Sequence, residues 1–229
     1  MRAHGDPSFC EYLMNIGNDT IPTISGTNIQ IPQQFLVPIT TDSNPLSSLI
    51  TSVYPNLNLF QQDPYLLMGR IILTTTNNHV NEINDILIAK FPSEPKTLMS
   101  YDEALDPKYR GCQDLLHTLS FAGLPPHALV LKKNCPVILL RNLNPCEGLC
   151  NGTRLICTTF TDHIISCYIA FGEYKDKHVF IPRIPLQISR DEHCSIPFKR
   201  TQFPLKLCFA MTINKSQGQT LEFAGIYLK

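Results

Sequence analysis

Net charge is missing from this sequence. Its 19 Lys/Arg balance 19 Asp/Glu over 229 residues, so overall charge gives no argument for a polyanionic partner. Long apolar runs are missing too: no stretch of eighteen or more apolar residues occurs, which excludes an ordinary helical membrane span. Met1-Arg2-Ala3-His4-Gly5-Asp6-Pro7 has none of the apolar character a secretory leader needs. These absences predict a soluble, intracellular protein with no membrane partner. A glycine-rich loop ending in Gly-Lys-Ser/Thr is also absent, which removes the usual cradle for a nucleoside triphosphate. No acidic pair follows a buried strand to hold the accompanying magnesium. Asp102-Glu103 and Asp191-Glu192 follow turns and read as surface acids.

What is present bounds the fold. With 43% hydrophobic and 17% charged residues, the chain can build one large domain or two small ones with proper cores. Nine cysteines in a long chain without a leader read as free thiols, and the odd count agrees. Cys146 and Cys150, with His193 and Cys194, are conceivable zinc ligands. No second tightly spaced pair completes the set, so buried structural thiols are the expectation and no metal is assigned. The charges are unevenly placed: residues 1–122 hold 6 Lys/Arg against 12 Asp/Glu, and residues 123–229 hold 13 against 7. The second half is the one to suspect of touching phosphates.

The pattern along the chain is nested. Apolar residues at 9, 12, 13 and 16 fit a helix, read as the last of a domain that began earlier. Residues 15–64, crowded with Asn, Thr, Ser, Pro and Gln, read as an irregular connector. From Arg70 a short buried run, Ile71-Ile72-Leu73, empties through a polar loop into a helix marked by Val80, Ile83 and Leu87, with Asn77 or Asn78 as its N-cap. Strand, loop and helix form the unit of an open α/β sheet, whose ligands sit at the strand's C-terminal end. Residues 92–122 read as a linker. Residues 129–131, 136–140, 153–157, 164–171 and 178–181 then form five short β-type runs separated by turn residues, which suggests a small β-barrel. Residues 205–213 are apolar at nearly every position, as in one strand buried on both faces, and residues 225–228 look like the next strand, inside which the chain stops.

Between those last two strands lies Asn214-Lys215-Ser216-Gln217-Gly218-Gln219-Thr220, offering an ammonium, amides, hydroxyls and a glycine that admits close backbone approach. Phosphate is its natural partner. Residues 197–220, ending Phe209-Ala210-Met211-Thr212-Ile213-Asn214-Lys215-Ser216-Gln217-Gly218-Gln219-Thr220, are very similar to motif V and its lead-in in PIF-type superfamily 1 DNA helicases, particularly those of Helitron elements and plant relatives. Gly123-Leu124-Pro125-Pro126-His127, residues 131–137 and 139–145, and Gly148-Leu149-Cys150-Asn151-Gly152-Thr153-Arg154-Leu155 resemble the barrel inserted in that family's second RecA-like domain. Residues 70–78 resemble its motif IV region and residues 9–20 the end of its first RecA-like domain.

The resemblance implies an α/β fold: a partial RecA-like P-loop NTPase second motor domain with a small inserted Src-homology-three-like β-barrel. It divides the chain into the end of a first RecA-like domain (1–20), a connector (21–65), a leading segment of the second RecA-like domain (66–91), a linker (92–122), the barrel (123–190) and a trailing segment of that second RecA-like domain (191–229). It implies an ATP-dependent 5′-to-3′ DNA-unwinding lineage active in replication, repair, recombination or transposition. Thr212, Asn214 and Lys215 would face the DNA backbone, with Lys132, Lys133, Arg141 and Arg154 adding phosphate contacts from the barrel. Gln217, Gly218, Gln219 and Thr220 would lie toward the nucleotide cleft, and Arg70, Thr75, Thr76, Asn77 and Asn78 make up the motif IV region. Asn214 departs from the His of many broader relatives.

The intact family uses ATP and Mg2+, whereas this chain lacks the phosphate loop, the acidic pair and motif VI, so no catalytic residue is complete and neither cofactor is expected to bind it alone. The expectation is therefore a helicase fragment, monomeric and more nuclear than mitochondrial. It would bind single-stranded DNA, and a separate N-terminal motor half is a candidate partner. A non-catalytic protein- or nucleic-acid-binding module is the alternative.

Overall fold

Asp6 and Pro7 open the first helix, α1 (Pro7–Gly17): the Asp6 carboxylate accepts from the Phe9 backbone N–H, and proline supplies a preset first turn. In the computed structural model, residues 6–38, 44–109, 111–121, 123–188 and 196–228 are described. The chain divides into two compact units, Met1–Ser43 and Asn44–Lys229. The smaller unit holds α1 and a hairpin of β1 (Thr23–Ser25) with β2 (Asn28–Ile29), and Phe35 packs its ring on Phe9 and Tyr12 of α1.

The larger unit begins inside the stretch read as an irregular connector, and here the expectation fails. Residues 45–68 form α2 (Pro45–Val53), α3 (Leu57–Gln62) and α4 (Pro64–Met68), capped by the side chains of Asn44, Asn56 and Asp63 respectively. The polar residues that read as loop are to some extent these caps. Leu46, Leu49, Ile50 and Val53 recur at helical spacing on α2 and are all buried.

β3 (Arg70–Thr74) leads into α5 (Asn77–Lys90) as expected, although the cap is Thr76, whose hydroxyl accepts from the His79 backbone N–H at 3.4 Å. Next come β4 (Pro95–Met99), β5 (Tyr101–Ala104) and α6 (Gln113–Thr118), where a linker was expected. The weak periodicity there has a physical origin: β5 alternates between core and solvent over only four residues, and β4 exposes all but Leu98.

The sheet-rich region follows, with β6 (Ala128–Lys132), β7 (Pro136–Leu139), β8 (Arg154–Phe160), β9 (Ile164–Ile169), β10 (His178–Pro182), β11 (Ile184–Ile188) and β12 (Phe198–Gln202). All five expected strands form, but β6 pairs with β4, while β7 to β10 make an antiparallel meander completed on its far side by β13 (Leu205–Leu207). β11 and β5 flank β12 in a separate three-stranded sheet.

β13 is the second correction. The apolar run at 205–213, expected as one strand, serves two sheets: β13 joins the antiparallel sheet, β14 (Ala210–Thr212) lies parallel to β3, and α7 (Ile213–Ser216) follows at once. Asn84 of α5 imposes the break. Its Oδ1 accepts from the backbone N–H groups of Phe209 and Ala210 at 3.0 Å each, and its Nδ2 donates to the carbonyls of Leu207 and Ala210 at 3.3 and 3.4 Å.

β15 (Phe223–Tyr227) completes a parallel sheet of order β14-β3-β15, which α2 and α5 both pack against. Ile71, Leu73, Ile138, Leu140, Cys208 and Met211 form a shared core between this sheet and the antiparallel one. Among the described residues no helix is long and apolar enough to cross a membrane.

Candidate nucleic-acid interface

Parallel pairing decides where the loops go. Thr212 ends β14 opposite Thr74 at the end of β3, so the loop of Thr75 and Thr76 leaves the same edge of the sheet as α7. Asn77 and Asn78 at the start of α5 and Lys215 in α7 thereby line one groove of about 910 Å3. α5 contributes Asn81, Asn84 and Asp85 to one wall, one helical turn after another, and β13 contributes Lys206. The opposite wall is apolar, made by Phe121, Leu124, Leu129 and Val130, with Gly123 among them.

That apolar wall is held by an ion pair whose acid reads, from sequence, as a surface group. Asp102 is 3% exposed and lies against Arg200, which is 1% exposed. The Arg200 guanidinium donates to both carboxylate oxygens, at 2.9 and 3.1 Å from Nε and 2.7 Å from Nη2. Its remaining donors reach the carbonyls of Leu116, Leu119 and Pro125. Alternation along β5 explains the misreading, because Asp102 points inward while Glu103 points out to a 2.6 Å pair with Lys199. Asp191-Glu192 lies outside the described residues.

His117 and His127 stack beside this pair with ring centroids 3.7 Å apart. Burial, then the neighbouring His117, holds His127 below the ordinary imidazole range. Asp102, His117 and His127 are a conceivable metal cluster among the described residues. The carboxylate is already committed, however: besides Arg200 it accepts the Ser100 hydroxyl proton at 2.6 Å. We read the cluster as structural. Cys146 is exposed and Cys150 half-buried, both as free thiols, and the other two conceivable zinc ligands, His193 and Cys194, lie outside the described residues.

The remaining sequence-derived sites divide. Asn214 and Lys215 are exposed, Thr212 is half-buried at the end of its strand, and Lys133 is exposed in a turn away from the groove. Arg141 is half-buried, donating to its own Leu140 carbonyl, with Nη1 beside the groove residue Gly123. Gln217, Gly218 and Thr220 are exposed, Gln219 donates to the Gly152 carbonyl at 3.2 Å, and none of the four lines the groove.

Three cations are not available to a phosphate. Lys132 lines the groove but is 8% exposed, and its ammonium donates to the Ala89 and Phe91 carbonyls at the end of α5. Arg154 is 3% exposed, with its guanidinium over the Phe171 ring and donating to the Arg70 carbonyl. Arg70 sits at the opposite end of β3 from the loop, over Phe60 and Phe223, and donates to the Val53 carbonyl. Basic residues inside apolar strands pack their stems and spend their charge on backbone carbonyls.

Sequence reasoning missed Lys206, Asp85, Asn81 and Phe121. The signal for Lys206 was the lone charge within residues 205–213, and that for Asn81 and Asp85 was helical spacing from Asn77 and Asn78.

Residues 114–160, from α6 into the end of β8, match the family model described as "DNA helicase Pif1, 2B domain". Over this stretch the chain is similar to Pif1 helicases. It is 34% identical over 114 residues to the ATP-dependent DNA helicase Pif1 of Bdellovibrio bacteriovorus, covering 50% of this chain and 25% of that protein. The Pif1 helicase from Candida albicans shares the fold with a TM-score of 0.60 and 20% identity, covering 99% of this chain and 48% of that one. A Bacteroides Pif1 bound to single-stranded DNA gives 0.55 and 20%, covering 96% of this chain and 42% of that one. The chain therefore spans about a quarter of this curated relative's length and under half of each solved structure.

Proposed function

We propose that this Pif1-like chain is the strand-gripping portion of an ATP-dependent DNA helicase. It corresponds to most of a second RecA-like motor domain with its inserted barrel, holds single-stranded DNA in the groove between α5 and the wall of Phe121, Leu124, Leu129 and Val130, and does not hydrolyse ATP alone. The observation that carries this reading is convergence: Asn77 and Asn78 at the start of α5 and Lys215 in α7, far apart along the chain, line one groove with a further lysine, Lys206. Phosphate contacts position a strand without reading its sequence, and exposed ammonium and amide groups at the C-terminal edge of a parallel sheet are suited to that. The bound DNA of the Bacteroides relative supports it. ATP and Mg2+ would be held only when a phosphate loop and magnesium-binding acids are supplied, by a separate motor half or by further sequence.

The experiment is fluorescence polarisation of a labelled thymidine oligonucleotide with the wild-type chain and Lys215→Ala. Binding that drops on the substitution, with circular dichroism unchanged, supports the reading. Equal binding by both proteins overturns the assignment of the groove.

A further inference from the structure

Lys206 is half-buried in β13, with its Cα opposite Ile138, and its side chain reaches the groove. Among the described residues its ammonium has no hydrogen bond and no ion pair. Asp85 lines the same groove and attracts it through space, yet the two do not close to a salt bridge. Lys215 lines the groove as well and repels it. Burial chiefly, and then Lys215, pull the Lys206 ammonium below the ordinary lysine range, while burial pushes the Asp85 carboxyl above its own. A desolvated, unpartnered cation beside a second cation is an arrangement an arriving anion relieves twice, by supplying the missing counter-charge and by screening the repulsion.

We propose that Lys206 and Lys215 together form the seat for one phosphodiester of the bound strand, with Asp85 as a counter-charge that weakens the seat and lets the strand leave. The inference rests on the reading of the groove as the DNA path. An ammonium is a compact point charge suited to a single phosphate oxygen, and a carboxylate on the same wall lowers the seat's net charge by one. Asp85 is exposed on α5, so it serves no packing need that a neutral amide would fail to meet.

The test is the salt dependence of thymidine-oligonucleotide affinity for the wild-type chain, Lys206→Met, Lys206→Arg and Asp85→Asn. Methionine keeps the apolar stem in the sheet, and circular dichroism confirms folding. The expected result is weaker binding by Lys206→Met with a log–log salt slope shallower by about 0.7, the contribution of one phosphate on a single strand. Lys206→Arg should retain the wild-type slope, and Asp85→Asn should bind several-fold tighter. If the wild-type chain binds with a clear salt dependence but Lys206→Met keeps its affinity and slope, or Asp85→Asn is no tighter, the seat is refuted and the groove stands. If the wild-type chain does not bind at low salt, both fall.

Discussion

Asn84 is the residue on which the site's geometry turns. Buried to 2% exposure, it makes four hydrogen bonds to the backbone between β13 and β14, and so fixes where the antiparallel sheet ends and the parallel one begins. Asn84→Ala would leave the Phe209 and Ala210 N–H groups short of an acceptor in the core and is expected to cost about 3 kcal/mol, measurable by urea unfolding. His127 supplies a second expectation. Its imidazole is held below the ordinary range in the folded protein, chiefly by burial, so the unfolded chain takes up protons first as pH falls. The stabilisation is full above the unfolded value of about 6.5 and is lost as pH drops through it toward the folded value. Melting temperature should therefore fall between pH 7.5 and 5.5, and His127→Gln should flatten that dependence. Little of this was legible in the sequence. Asn84 carries no mark that separates it from Asn78 or Asn81, and Asp102, read as a surface acid, is inside because β5 alternates over only four residues.

At the scale of elements, the close packing of α2 on β15 yields a sharp expectation. A Cβ at Gly225 would sit 2.5 Å from Val53 Cγ2 and 2.9 Å from Leu49 Cδ1, a contact neither branched side chain can tolerate without moving the helix. Gly225→Ala should destabilise the chain by about 1–3 kcal/mol in thermal or chemical unfolding, as overpacking of a filled core does. Elements with an uninterrupted signal were legible: β3, α5 and the meander from β7 to β10 fall close to their expected positions. The stretches expected as connector and linker were not, because their polar residues are helix caps and their strands are short. Nor was the change of sheet inside residues 205–213, since a continuous apolar run looks alike whether it serves one sheet or two. Of the candidate cations, Lys215 is exposed on α7, and the sequence could not tell that Lys132 and Arg154 turn inward to backbone carbonyls.

At the scale of the whole molecule, the antiparallel and parallel sheets share one core, and the groove lined by α5, α7 and β13 is bounded by a wall that Arg200 pins to β5. Under the proposed reading this body would grip the strand, and the nucleotide cycle would need a phosphate loop supplied with it. The most direct measurement is oligonucleotide affinity across a salt series, read alongside ATP hydrolysis in the same samples. Binding that weakens linearly on a log–log salt plot, with no hydrolysis above background, is the expected result. Affinity indifferent to salt, or no binding at low salt by a folded chain, would contradict a strand-gripping role.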